Sequence, residues 1–362
     1  MRILCVTGHS DRPEAETFIG LKRLGIDIQV LCPTSAQHYR RMLDNGVPVS
    51  PLQLKSRIDF KAIAAIRRHL QDEKIDILHL FNNRAVSNGI LAANKMAVKI
   101  IVYRGTMGNV SYWDPGSWMT YLHPRVDRII CVSEAVRGFF LQMRWLWLRI
   151  PPTKLVTVYK GHDLSWYRET PLRLSSLGIS ADAFTVGCTG RYRPHKGLEV
   201  LVAAMSHLPR HLPIHLVLIG NMDARPLRKL IARSPAKDRI HLAGYRKDAP
   251  ALQAACQATV LPALRREGLP KVVIEAMAYG VPPIVTNVGG SPELIEDGVS
   301  GLVIPPGNPE AIAQAVMSLY EDPKRRETMG HEARVRIRDH FQIEQTIHRT
   351  LAVYQDVLDK MP

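Results

Sequence analysis

Two kinds of apolar pattern alternate along the chain. Short runs with almost no polar interruption, Arg2 to Thr7, Asp27 to Cys32, Ile75 to Phe81, Lys99 to Tyr103 and Arg128 to Val132, read as strands buried on both faces. Between them lie segments whose apolar positions recur at helical spacing: Glu16 to Leu24, stopped by Gly25, then Phe60 to Gln71 and Val86 to Lys95. The rhythm resumes with strands Phe184 to Cys188, Ile214 to Ile219, Arg239 to Leu242, Ala258 to Leu261 and Pro283 to Thr286. Helices Leu198 to His207, Pro226 to Ala232, Pro270 to Tyr279 and Pro309 to Tyr320 alternate with them. Such alternation predicts parallel sheets with helices on both faces.

The stretch Gly161 to Gly178 breaks the pattern and reads as a linker. The predicted class is therefore α/β, with two doubly wound Rossmann-like domains facing across a cleft. Residues 1–164 form the first and 165–342 the second. A last helix, about His340 to Leu358, is long enough to carry 343–362 back to the first domain. In open sheets of this kind ligands bind beyond the carboxyl ends of the strands.

A chain of 362 residues suits two domains, and 46% hydrophobic with 22% charged residues is a globular composition. No apolar run approaches the roughly 20 residues of a bilayer-spanning helix, and Met1 to Thr7 is too short for a secretory signal core. The expected location is cytoplasmic. Five scattered cysteines without a CxxC pair suggest neither disulfides nor zinc, and read as small buried hydrophobes. The net charge of +15 is the unusual bulk property. Residues 1–165 hold 23 Lys and Arg against 13 Asp and Glu, so the excess lies mainly in the first half. Nucleic acid, an anionic membrane, an acidic substrate or simple solubility would each account for it.

Three segments carry candidate chemistry. The run Gly190-Arg191-Tyr192-Arg193-Pro194-His195-Lys196-Gly197 occupies a strand-to-helix turn, where backbone N–H groups and a helix dipole favour phosphate, and Arg191 and Lys196 add two cations. In Glu267-Gly268-Leu269-Pro270-Lys271-Val272-Val273-Ile274-Glu275, Glu267 falls in the loop before a helix and Glu275 within it, among apolar neighbours. A carboxylate there needs a partner, and sugar hydroxyls suit an acceptor-only group; a pair of structural glutamates fits the spacing equally well. Ser291 and Asn308, each followed by proline, read as N-caps of two further helices.

Taken in order, GR-x4-KG, REGLPKVVIEAMAYGVP and VTNVGGSPELIEDGVSGLVIPPGNPEAI closely resemble the nucleotide-binding domain of glycosyltransferase family 4, a retaining family of glycogen-synthase-like, two-Rossmann-domain (GT-B) architecture. The resemblance is strong from Gly190 to Gly307. It extends weakly over the first half through Asp76-Ile77-Leu78-His79, Val132-Ser133-Glu134 and Tyr159-Lys160-Gly161-His162-Asp163.

That resemblance implies a retaining transfer of sugar from a nucleotide diphosphate donor to a glycan or lipid-linked saccharide, with no metal or other cofactor. It places Arg191 and Lys196 on the donor diphosphate and Glu267 on the transferred sugar as the catalytic set. Glu275 holds the ribose, and Gly190, Gly268, Leu269, Pro270 and Tyr245 complete the donor site. The first domain departs from the family: where a Gly-Gly-x-Glu loop is expected, the chain reads Pro13-Glu14-Ala15-Glu16, matching only Glu16. Gly8 is then the candidate for close approach to phosphate. Arg104 stands where many relatives have histidine, and His79 either lines the cleft or is a structural histidine. Arg104, His79 and Glu16 form the acceptor-side set.

One amphipathic stretch, residues 136–149, puts Val136, Phe139, Phe140, Met143, Leu146 and Trp147 on one helical face and leaves Leu141, Trp145 and Leu148 among three arginines. Either the helix is packed on both sides or it lies on an anionic membrane surface, at the inner face of the membrane. A dinucleotide-dependent oxidoreductase is disfavoured because Gly8-His9-Ser10-Asp11-Arg12-Pro13 is not G-x-G-x-x-G. The chain has no Asp-x-Asp triplet for a metal-bound diphosphate, and no nucleic-acid-binding signature, so no nucleic-acid partner is expected. The rival readings are an epimerase or phosphorylase of the same architecture and a basic nucleic-acid-binding protein.

Overall fold

A computed structural model describes residues 1–359, and these form two units. One comprises Met1–Gly161 and the chain from Ile343 onward, the other His162–Gln342. In the first unit β1 (Arg2–Val6), β2 (Asp27–Cys32), β3 (Val49–Pro51), β4 (Ile77–Leu80), β5 (Lys99–Arg104), β6 (Arg128–Cys131) and β7 (Leu155–Thr157) make one sheet. Its order is β3-β2-β1-β4-β5-β6-β7 and every pairing is parallel. In the second unit β8 (Phe184–Arg191), β9 (Ile214–Asn221), β10 (Ile240–Gly244), β11 (Ala258–Leu261), β12 (Pro283–Thr286) and β13 (Leu302–Ile304) run in the order β10-β9-β8-β11-β12-β13, again all parallel.

Every residue of β4, β11 and β12 is buried, which is why these strands read as unbroken apolar runs. Both sheets reverse direction once. The first strand of each unit has its successor on one side and a later strand on the other: β1 lies between β2 and β4, and β8 between β9 and β11. At such a reversal the loops leaving the two neighbouring strands diverge and open a crevice at their carboxyl ends.

Several elements differ from the sequence expectation. The first helix spans Arg12–Arg23 rather than beginning at Glu16, because the Asp11 side chain accepts from the Glu14 backbone N at 3.1 Å and Pro13 fits its first turn. Ser291 announces no α-helix. Only the three-residue turn Pro292–Leu294 follows it, and the buried Ser291 hydroxyl caps nothing, whereas Asn308 does cap the helix Pro309–Glu321. The polar segment before the C-terminus forms a helix, Pro323–His340, that buries only Met329, Gly330, Ala333 and Ile337. The expected helix over 136–149 is two structures. A helix Glu134–Gln142 ends where Met143 turns to extended backbone, and Trp145 and Leu148 then exchange backbone hydrogen bonds of 3.2 and 2.9 Å around a two-residue turn.

The C-terminal helix, Ile343–Asp359, packs in the first unit against the helix Arg12–Arg23. Thr346 accepts from the Gly161 N and donates to the Tyr159 carbonyl, both at 2.8 Å, and Arg128 meets Asp356 at 2.6 Å. Tyr354, fully buried, hydrogen-bonds its hydroxyl to His79 Nδ1 at 2.7 Å.

Beneath these two helices the apolar core is interrupted by a small cavity lined by Glu14, Thr17, His79, Phe81, Tyr103 and Lys160. Glu14 Oε1 and His79 Nε2 are buried there without a hydrogen-bond partner. Lys160 lies 3.8 Å from the Glu14 carboxylate and 2.8 Å from Asp11. Burial raises the Glu14 pKa to about 7, with Lys160 opposing and Asp11 reinforcing the shift. For Lys160 burial acts downward, but Tyr103, Asp11 and Glu14 outweigh it and hold the ammonium charged. His79 is kept neutral, its pKa lowered by burial to about 3.

Glu14 therefore binds its proton more tightly in the folded chain than in the unfolded one. The stability this confers is present below about pH 4.5 and is lost as the pH rises through about 7. Thermal melts of the wild type and Glu14→Gln should diverge across that window, the wild type losing ground to the variant as the pH rises. Parallel curves would refute the assignment.

Candidate active site

Chain reversal in the second sheet decides what can meet there. Because β8 and β11 are hydrogen-bonded neighbours, the turn leaving β8 at Arg191 and the loop leaving β11 at Leu261 emerge side by side. The first carries the Gly190 to Gly197 motif and the second leads to Glu267. Leu264 N donates to the His195 carbonyl at 2.9 Å, joining the two. Gly197, at φ +69°, lies so close to that loop that a Cβ would stand 2.0 Å from the Pro262 carbonyl oxygen. Gly289, at φ +58° in the loop after β12, approaches the Glu267 carbonyl equally closely. No residue with a side chain fits either place, so the motif glycines serve close backbone approach.

At the meeting point Lys196 Nζ lies 2.5 Å from Glu267 Oε1. The Glu267 side chain is 8% exposed and the lysine 31%, so the pair is held at the mouth of the crevice, open to a ligand from the lysine side. Glu275, on the helix Lys271–Ala278, is half-buried and paired with Lys271 at 3.0 Å. Lys271 is the partner its apolar surroundings required. Gly268 and Pro270 are buried, Leu269 is half-buried, and no side chain caps the start of that helix. Arg191 is exposed as the last residue of β8, and Tyr245 is 75% exposed just after β10.

Charge around the pair is strongly positive. Arg191, Arg193, Arg265 and Arg266 are exposed on the same two loops. The His195 pKa is lowered, first by burial and then by Lys196, with Arg266 and Arg265 adding to the effect against Glu267. Arg266 is also a non-glycine residue at φ +69°, and left-handed backbone of this sort concentrates at functional loops. The arginine doublet had been in view, directly before Glu267, but the sequence reading used only Arg191 and Lys196.

The first-unit candidates do not gather into one site. Gly8 follows β1 at the reversal beside β4, and a Cβ there would stand only 3.1 Å from Asn82 Nδ2, so the Asn82 side chain packs tightly against this glycine. Arg104 is 4% exposed; it donates to the carbonyls of Thr106 (2.7 Å) and Gly108, and its guanidinium lies 4.7 Å from the centre of the Tyr121 ring. These contacts fix the loop after β5. His79 is buried against Tyr354, and Glu16 is ion-paired with Arg41. The charged group at the carboxyl ends of this sheet is instead Glu14 with Asp11 and Lys160, which the sequence reading missed. Its signal was Asp11-Arg12-Pro13-Glu14, a capping residue with an acid three positions on, which moves the helix start back and turns Glu14 inward with Thr17, Phe18 and Leu21.

Among the described residues no three His, Cys, Asp or Glu side chains form a metal-binding group. All five cysteines are free and buried, and burial raises the thiol pKa of each.

Comparison with known proteins agrees with this geometry. Residues 16–166 match the family model described as Glycosyltransferase Family 4, and residues 173–336 the model described as Glycosyl transferases group 1. An Escherichia coli UDP-Gal:alpha-D-GlcNAc-diphosphoundecaprenol alpha-1,3-galactosyltransferase is 23% identical over 92% of this chain and 89% of its own length. A lipopolysaccharide core biosynthesis mannosyltransferase of Rhizobium meliloti is 25% identical over 86% and 88%. The alpha-D-kanosaminyltransferase of Streptomyces kanamyceticus is 35% identical, but over only 40% of this chain and 38% of that one. Among solved structures, Anabaena HepE in complex with UDP superposes with a TM-score of 0.79 at 20% identity, covering 98% of this chain and all of that one. A glycosyltransferase from Rickettsia africae gives 0.82 at 19% identity over 99% of each. The two family models together take in residues 16–336 apart from 167–172, over two parallel-sheet α/β units of GT-B type, and the chain belongs to the family 4 glycosyltransferases.

Proposed function

We propose that this glycosyltransferase moves a sugar from a nucleoside diphosphate donor to a glycan or lipid-linked saccharide with retention at the anomeric carbon. The observation that carries the reading is the Lys196–Glu267 pair at the strand reversal, set among exposed arginines. A diphosphate needs several cations, and a sugar needs a carboxylate to accept from its hydroxyls. Here both stand at one point.

Glu267 pairs with Lys196. An arriving diphosphate competes for the ammonium, drawing Lys196 toward phosphate and freeing the carboxylate to bind the sugar. The bond between the anomeric carbon and the β-phosphate oxygen then breaks as the acceptor oxygen bonds on the same face. The acceptor proton passes to the departing phosphate. Negative charge grows on the leaving diphosphate, where Arg191 and Lys196 stabilise it more in the transition state than in the ground state. Glu275 is placed on the ribose, with Tyr245 and the backbone of Gly190, Gly268, Leu269 and Pro270 completing the donor site. Cationic side chains perform the role a divalent ion would otherwise take, so no metal is required. The relatives named for undecaprenol-linked and lipopolysaccharide sugars support an envelope acceptor, assembled on the cytoplasmic side of a membrane. Among the described residues no helix is long and apolar enough to cross one.

Lys196→Ala and Glu275→Ala should each lower turnover of the donor by at least ~10²-fold, the order for losing a contact to developing charge. Near-normal rates in both would refute the site. Chelation with EDTA should leave the rate unchanged, whereas a strict requirement for Mg²⁺ or Mn²⁺ would contradict the cationic account. In thermal melts against UDP-, GDP- and ADP-sugars, one nucleotide class should raise the midpoint, by roughly 2.7 kcal/mol of added stability at a hundredfold excess over its Kd, and the rise should vanish in Lys196→Ala.

A further inference from the structure

The segment expected to be a helix folds instead as a hairpin whose exposed residues are not the ones a helix would expose. Trp145 and Leu148 form the hydrogen-bonded closing pair and are half-buried, with the Trp145 ring 5.0 Å from that of Trp113. Leu146 and Trp147, the two tip residues, are 72% and 81% exposed, and Trp113 beside them is 77% exposed. Trp118 adds a fourth exposed apolar side chain nearby in the chain. Arg144 and Arg149, both exposed, flank the tip directly.

Leu146 adopts φ +54°, at the first central position of a two-residue turn, where glycine is the usual occupant. A leucine there is disfavoured twice over, by left-handed backbone and by exposure to water. The exposure cost falls away if the tip leaves water when the protein is at work, and burial of the side chain then offsets the backbone strain. Exposed tryptophan, leucine and arginine at a turn tip are the composition of a side-chain wedge seated in a lipid headgroup layer, with the indoles at the interface and the cations on anionic lipids. The acidic residue of the patch, Asp114, is occupied in capping Pro115–Trp118 and is partly offset by Arg57. The excess positive charge of the first half of the chain has the matching sign.

We propose that the 144–149 hairpin, together with Trp113, inserts into an anionic lipid surface and holds the first unit against the membrane. The proposal deepens the function given above by naming the surface on which the acceptor lies, and rests on that reading only for the acceptor's identity.

The test uses the full chain without donor or acceptor. It should co-sediment with vesicles of phosphatidylcholine and phosphatidylglycerol in equal parts, and far less with phosphatidylcholine alone. Leu146→Asn suits the left-handed backbone and should keep or raise the melting temperature while lowering vesicle partition on the order of tenfold, as should Trp147→Ser. Arg144→Gln with Arg149→Gln should remove the preference for anionic vesicles. Wild-type indifference to vesicles, undiminished partition of both tip variants, or a wild-type dimer that those variants dissociate in the absence of lipid would each overturn the proposal. Donor-induced thermal stabilisation, measured in parallel, separates the two readings: its absence in the wild type with vesicle binding intact would sink the donor assignment and leave the membrane one standing.

Discussion

The juxtaposition of Lys196 and Glu267 depends on strand order. Seventy-one residues separate them, and they meet because β11 is hydrogen-bonded to β8 rather than to the strand preceding it in sequence. Had the chain continued outward from β10, the two loops would leave opposite edges of the sheet and the cations would face no carboxylate. Gly197 and Gly289 close the remaining distance by letting three successive loops touch backbone to backbone. The ion pair satisfies a largely buried carboxylate that would otherwise carry the cost of an uncompensated charge.

The two units use charge differently at corresponding places. In the second, cations crowd exposed loops beyond the strand ends. In the first, Glu14, Asp11 and Lys160 are drawn beneath the helix Arg12–Arg23, and Arg104 spends its donors on carbonyls of its own loop. A guanidinium fixed in that way shapes the loop after β5. The family's usual glycine-rich loop would supply backbone donors at this strand end. Here Pro13 withholds one and Glu14 turns inward, so this strand end offers fewer donors than such a loop would.

Much of the fold was legible because buried parallel strands announce themselves. Asp27–Cys32, Leu198–His207, Ala258–Leu261 and Pro283–Thr286 have the bounds that apolar runs and helical spacing indicate. Three-residue edge strands such as Val49–Pro51 and Leu302–Ile304 carry too few side chains for any period to show. Pro323–His340 escaped because its stripe of four small or apolar residues is diluted among charges. Residues 143–149 misled for another reason: Trp-Leu-Trp-Leu satisfies helical spacing and strand alternation alike, and the backbone turn at Met143 selects the second. In the site, motif residues could be named from sequence, but their meeting could not. It follows from sheet order, a tertiary property that no local pattern encodes.

The place of the last helix bears on how the protein is made. Tyr354 fills the first unit's interior and gives His79 its hydrogen-bond partner, although 275 residues separate the two. During synthesis the N-terminal sheet leaves the ribosome long before that helix exists, with an unfilled hollow beside β4. The whole of the second unit, His162 to Gln342, is synthesised in that interval. Vectorial order is thus inverted for half of the molecule: the part made first is finished last, and a chain cut short before Ile343 would join a second unit of complete sequence to an open, aggregation-prone sheet.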